Sequence, residues 1–227
     1  ETVLDLKLPD AFVRAYPGPA FAMPGTRQLS GVPQGPLIGT IIKPSVGLNP
    51  RETAEQVRLL VEGGIDFIKD DELQADGLHC PFNDRVVEVM RVINEAADRQ
   101  GRKVMVAFNI TGDLDQMQRR HDWVLQHGGT CVMVCVHSVG LSGMTALRRY
   151  AQLPLHAHRA GWGYLSRSPA LGWDFRPWQL LWRLAGADHL HVNGLRNKFS
   201  EPDEVVVHAA RSVQEPWFEG QLAASVP

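Results

Sequence analysis

Gly64-Ile-Asp-Phe-Ile-Lys-Asp-Asp-Glu72 is an apolar run that ends in one amine and three carboxylates. Gly63 and Gly64 stop the helical pattern before it, so the run is predicted to be a short buried strand opening into a polar mouth. On a strand, side chains at i and i+2 share a face. Lys69 and Asp71 therefore point into the mouth while Asp70 points away, and Asp70→Asn is expected to cost less activity than Asp71→Asn. Glu72 joins Lys69 and Asp71 once the chain turns out of the strand. Two carboxylates at one point repel unless a cation lies between them, and oxygen ligands this hard favour Mg²⁺. Read alone, such a charge run is more often a solvated loop. Its place behind a glycine pair and an apolar strand brings the site reading level with that one.

Outward from this segment, runs rich in apolar and β-branched residues alternate with amphipathic helical stretches, the pattern of βαβ units and a parallel sheet. The predicted strands are 37–43, 65–69, 104–109, 131–136, 153–158 and 189–193. Asn49-Pro-Arg-Glu52 supplies an N-cap, a proline at the first helical position and a capping-box acid, with Val57, Leu60 and Val61 on one face. A second helix is read from Asp84 to near Gly101, a third from Pro177 to Gly186, and a fourth near Ser200-Glu-Pro202. Polar residues recur at strand C-terminal ends, where TIM barrels gather catalytic groups. The expected fold is an α/β TIM (β/α)8 barrel, truncated after about six βα units, over residues 37–227. Residues 1–36, with six prolines and no clear period, are expected to be an extended connector from an N-terminal domain that the sequence lacks.

The 227 residues, 44% hydrophobic, suffice for one domain with a large core. A net charge of -2 gives no general attraction to nucleic acid or anionic lipid, so an anionic ligand needs locally placed groups. Nucleic acid and membrane are not expected partners. Without a spanning segment or a signal-peptide layout at Glu1, a cytoplasmic location is expected. Cys80, Cys131 and Cys135 are odd in number and read as core thiols.

Three further places carry chemistry. Gly39-Thr-Ile-Ile-Lys-Pro44 sets Lys43 at a strand end, although lysine there is common on any surface. His156-Ala-His158-Arg159 and His189-Leu-His191 each put two histidines on one strand face, suited to a metal, to an oxyanion, or to packing. Lys198 lies in the loop after the sixth strand, where a mobile cation could fold over substrate.

Taken in order and spacing, Gly39–Pro44, Gly63–Glu72, Leu155-His-Ala-His-Arg-Ala160 and Asp188-His-Leu-His191 with Lys198 resemble the large-subunit family of RuBisCO over nearly the whole chain. The resemblance implies that CO₂ carbamylates Lys69, so that Lys69, Asp71 and Glu72 become oxygen ligands to Mg²⁺. It makes Lys43 the proton-shuttling lysine, helped if burial lowers its pKa, and Lys198 the lysine of a closing loop. Arg159 and His191 match positions that bind a substrate phosphate, and His158 one that contacts substrate hydroxyls. A homodimer or higher homo-oligomer is implied.

Carbon-fixing members carry a lysine at Ser45 and a histidine at Trp162, and their loop differs from Val192-Asn-Gly-Leu-Arg-Asn197. These departures point to the RuBisCO-like branch. Segment 168–198 further resembles members that break down branched-sugar acids, which implies decarboxylation of 3-oxo-isoapionate 4-phosphate through an enediolate. Three enzymatic alternatives remain: an enolase or isomerase of methionine salvage, ribulose-bisphosphate carboxylation, and an amidohydrolase-like metal hydrolase. In the hydrolase the His-x-His pair sits on the first strand rather than the fifth. A non-enzymatic barrel fragment kept for assembly would require the charged constellation to be incidental.

Overall fold

A computed structural model of the chain describes residues 1–196 and 201–215. Among them, six parallel strands form one curled sheet in the order β2 (Gly39–Ile41), β3 (Phe67–Lys69), β4 (Met105–Asn109), β5 (Cys131–Cys135), β6 (Leu155–His158) and β8 (His189–Leu190). Helices carry the chain from each strand to the next: α3 (Pro50–Glu62), α4 (Phe82–Gln100), α5 (Leu114–Gln126), α6 (Val136–Tyr150), then α7 (Trp162–Ser166) with α8 (Phe175–Ala185). The last described helix is α9 (Asp203–Ser212). This is a curled half-barrel sheet of six strands, matching the expected (β/α) barrel truncated after about six βα units.

The helix starts follow from local chemistry. Asn49 accepts from the amides of Arg51 and Glu52 while Glu52 accepts from the Asn49 amide, closing the predicted capping box. Asp113 and Gln116 repeat that box at α5, and Asp174 caps α8 three residues ahead of the expected Pro177 start. The α4 helix begins at Phe82, so the expected first residue, Asp84, lies within its first turn.

Strand alternation divides the interior in two. Ile68, Val106, Phe108, Val132, Val134, Leu155, Ala157 and Leu190 pack outward, with the helices, into one large apolar cluster. Phe67, Met105, Ala107, Cys131 and Met133 form a second cluster on the opposite, inner face. In register with it, Lys69 pairs beside Ala107, Met133 beside His156, Cys135 beside His158, and His156 beside His189. The inner face thus turns from apolar to lysine and histidine toward the strand C-termini. All three cysteines are buried and free, as read from the sequence.

Residues 1–36 are not extended throughout. They hold α1 (Asp10–Arg14) and α2 (Ala22–Ser30), and β1 (Thr2–Val3) pairs in parallel with β7 (Gly172–Trp173). The buried positions of α2 are Ala22, Thr26 and Ser30, small or polar side chains spaced by four that leave no apolar period in the sequence. Asp188 anchors this segment: its carboxylate accepts from the amides of Phe21 (2.6 Å), Ala22 (2.9 Å) and Leu155 (2.9 Å) and from the Arg148 guanidinium (2.9 Å). Gly186 has φ 115°, and a Cβ there would lie 2.3 Å from the Arg148 side chain, so glycine lets Arg148 pass to Asp188. No helix among the described residues is long and apolar enough to cross a membrane.

Candidate active site

The inner face of the curled six-strand sheet is open, and a cleft of about 1750 Å³ runs along it from Leu37 and Phe67 to the C-terminal ends of β2, β3, β6 and β8, where Lys43, Lys69, Glu72, His158, Arg159 and His191 line it. Six of the eight sequence-predicted site residues therefore meet in one place. Asp71, a seventh, is nearly buried and lies under Lys43 rather than on the cleft wall. Lys198 lies outside the described residues.

Lys69 has 7% side-chain exposure, and its amine lies 3.6 Å from Glu72 Oε2 while donating to the Asp70 carbonyl at 2.9 Å. Burial pushes its pKa below the usual lysine range, opposed by Glu72, Asp71 and Asp70. Lys43 behaves oppositely. Its amine donates to Asp71 Oδ2 at 2.6 Å and to Ser45 Oγ at 2.8 Å. The hydrogen bond to Asp71 raises its pKa, against slight desolvation. The expected lowering by burial does not occur, because the Lys43 side chain is 57% exposed and a carboxylate touches it. Its resting form is the ammonium, a proton donor.

Asp70 faces away from the cleft, as the strand alternation requires. It is 1% exposed and accepts from Arg85 Nη2 (3.1 Å) on α4 and from the Asn109 amide (3.0 Å). Sequence reading missed Asn109 as a site residue. Its side-chain amide donates to the Asp71 (3.3 Å) and Glu72 (3.2 Å) carbonyls, and its Oδ1 accepts from Thr111 (2.6 Å). Asn109 thus holds the turn that aims both carboxylates. The only signal for it was a polar residue at a strand end.

On β6 and β8, His158 Nε2 lies 3.6 Å from Glu72 Oε2 and its ring centre 4.9 Å from that of His191. His189 is tied to Thr26 Oγ1 at 2.8 Å, whereas neither nitrogen of buried His156 has a partner among the described residues. Desolvation, the largest cause in each case, lowers His158 and His191 to about 3, His189 to about 4, and His156 well below its usual value. The folded protein keeps these imidazoles neutral where an unfolded chain, with values near 6.5, takes up protons. Their contribution is complete above pH 6.5 and is lost progressively as pH falls toward 3. Thermal melting followed from pH 7 to pH 4 should show a steep fall in Tm. A flat profile over that range would contradict burial of neutral histidines.

Hard divalent cations take six or more oxygens, and Asp71 and Glu72 supply two carboxylates. Among the described residues, no three His, Cys, Asp or Glu side chains converge to hold a metal ion. The donor set fits Mg²⁺ if Lys69 contributes a third oxygen group, which its buried amine, lowered in pKa and beside Glu72, is disposed to do as a carbamate.

Known proteins share this fold. The family model for the ribulose bisphosphate carboxylase large chain, catalytic domain, matches residues 24–221, and the chain belongs to that family. Within it the chain stands with the RuBisCO-like members. It is 69% identical, over 99% of its length and 54% of the relative's, to a 3-oxo-isoapionate-4-phosphate transcarboxylase/hydrolase of Xanthobacter autotrophicus. It is 46% identical, over 96% of its length and 52% of the relative's, to a 3-oxo-isoapionate-4-phosphate decarboxylase of Rhizobium rhizogenes. A rubisco-like protein from Burkholderia fungorum superposes with a TM-score of 0.96 at 47% identity, covering 100% of this chain and 56% of that one. The chain spans about half the length of the relatives it matches.

Proposed function

We propose that this chain carries the catalytic cleft of a Mg²⁺-dependent RuBisCO-like carboxy-lyase that decarboxylates 3-oxo-isoapionate 4-phosphate. The observation that carries the reading is the juxtaposition of Lys69, Glu72 and the Lys43–Asp71 pair at one cleft that also holds Arg159 and His191. The relatives named for that substrate, at 69% and 46% identity, support the substrate class.

Uncharged Lys69 attacks CO₂, forming a nitrogen–carbon bond and releasing a proton. With Asp71 and Glu72 it then offers three oxygen groups, which would hold Mg²⁺. Bound there, Mg²⁺ supplies positive charge to substrate oxygens as negative charge develops on them. Arg159 and His191 hold the phosphate, and His158 orients a hydroxyl. The bond to the carboxylate breaks, its electron pair passes to the adjacent ketone to give an enediolate, and CO₂ leaves. Lys43, as the ammonium, returns a proton to carbon and stays poised by its Asp71 contact; Lys198 is the second candidate donor.

Two observations favour a sugar acid over the alternatives. Lys43, His158, Arg159 and His191 share the cleft with Lys69, donors suited to hydroxyls and carboxylate, beside apolar lining from Leu37, Ile38 and Phe67. Ser45, where carbon-fixing relatives carry a lysine, spends its hydroxyl on Lys43. The intact enzyme should release CO₂ from 3-oxo-isoapionate 4-phosphate, and chelation should stop it until Mg²⁺ and CO₂ are restored. It should form no labelled phosphoglycerate from ribulose bisphosphate. Turnover of only the methylthio substrates of methionine salvage would sink the substrate assignment.

A further inference from the structure

The Arg159 guanidinium, placed above as a phosphate ligand, faces an anion that belongs to the chain itself. Glu201 Oε1 lies 3.8 Å from Arg159 Nη1 and accepts a hydrogen bond from Trp162 Nε1 at 2.5 Å. Both partners of the ion pair are nearly buried, with side-chain exposures of 8% and 14%. Arg159 also stacks 5.2 Å from the ring centre of Phe175, which fixes its plane. Glu201 Oε2, in contrast, is buried with no partner among the described residues. All three polar residues line the cleft.

This carboxylate is poorly accommodated. At 3.8 Å it attracts Arg159 without a hydrogen bond to it, and leaving one oxygen of a charged group buried and unsatisfied is costly. An ion pair of this kind gives way to a better anion. A phosphate monoester carries about -1.5 to -2 charge near neutral pH and has three acceptor oxygens, enough for a bidentate contact with a guanidinium. A substrate carboxylate carries only the charge that Glu201 already has.

We infer that Glu201, held by Trp162, is a specificity-determining competitor at the Arg159 subsite: it yields to a phosphate and excludes a carboxylate. The inference rests on the proposed role of Arg159 and deepens it. A phosphorylated sugar acid has an anion at each end, and both could seat on an arginine in an open cleft. With Glu201 in place only the phosphate end displaces the resident carboxylate, so the substrate's own carboxylate is left to the Lys69 end, where it must be lost. Trp162 is the anchor of the device, its indole N–H standing where carbon-fixing relatives carry a histidine.

The test is a calorimetric titration of the intact enzyme with inorganic phosphate and, separately, acetate, at one fixed ionic strength. Glu201→Gln should tighten phosphate binding by at least about fivefold, the change that removing one unit charge about 4 Å away produces even at the dielectric of bulk water, and should make acetate binding measurable where the unaltered protein shows none. Glu201→Asp, which keeps the charge but withdraws it by one methylene, should fall between. Phosphate affinity unchanged or weakened in Glu201→Gln, at an unaltered melting temperature, overturns the inference. If that variant does not fold, unchanged affinities in Glu201→Asp do the same. Arg159→Met separates the two layers of argument. Should it bind phosphate as the unaltered protein does, the proposed phosphate role of Arg159 fails. Should it lose phosphate while Glu201→Gln changes nothing, only the competitor fails.

Discussion

Lys69→Ala should abolish CO₂-dependent Mg²⁺ binding and lower turnover by about 10³-fold or more, the scale seen when a group stabilising developing charge is removed. The expectation follows from the donor count: Asp71 and Glu72 alone offer two carboxylates, and Asp71 is already engaged by Lys43. Labelled ¹³CO₂ gives a readout independent of turnover. The intact protein should take up one Mg²⁺-stabilised carbamate whose carbon resonance disappears in the variant. Retention of both the resonance and Mg²⁺ affinity in Lys69→Ala would show that the metal is held elsewhere.

The second large effect concerns stability. Asp70→Asn should destabilise the fold by about 3–5 kcal/mol, because it strips the charge partner from a fully buried arginine. Arg85 is 0% exposed, and its other donors go to the carbonyls of Cys80, Gln74 and Ala75, none of which can offset its charge. Arg85→Met should cost a similar amount, and the double replacement less than the sum, since neither charge is then stranded. Urea midpoints shifting at constant slope would report it. Additive costs would mean that the pair is not coupled. The sequence expectation for this residue thus separates into two measurements. Asp70→Asn should disturb the cleft less than Asp71→Asn does, while disturbing the folded state more.

The parts of the fold that were legible in the sequence are those in which chemistry repeats at a fixed spacing. Strand C-terminal ends were read to within three residues, because the apolar run stops where a charged, amide or imidazole side chain begins, as at Lys69, Asn109 and His158. The capping box at Asn49 needed only four residues to read. The α2 helix was invisible because it buries Ala22, Thr26 and Ser30, held to Asp188 and His189 by hydrogen bonds that no period announces. The β1–β7 ribbon pairs residues about 170 apart with two residues on each side, too short for any pattern. In the site, the lysines, carboxylates and histidines announced themselves by type and position. Asn109 and Glu201 did not, since their roles come from what the fold sets beside them. The direction of the Lys43 shift was also hidden, as it depends on a hydrogen bond to a residue 28 positions away.

The anchor at Asp188 has a consequence for how the chain tolerates change. One carboxylate serves the start of α2, the first amide of β6 and the guanidinium of α6, and it immediately precedes the pair His189 and His191 at and just after β8. Substitutions at Arg148 and at Asp188 are therefore not independent trials. Loss of either removes the partner of the other's buried charge, so their penalties overlap, and a replacement harmless beside one partner is harmful beside another. Sequence drift at this edge of the sheet is constrained to move in concert, and the histidine pair inherits that constraint without making any of the contacts.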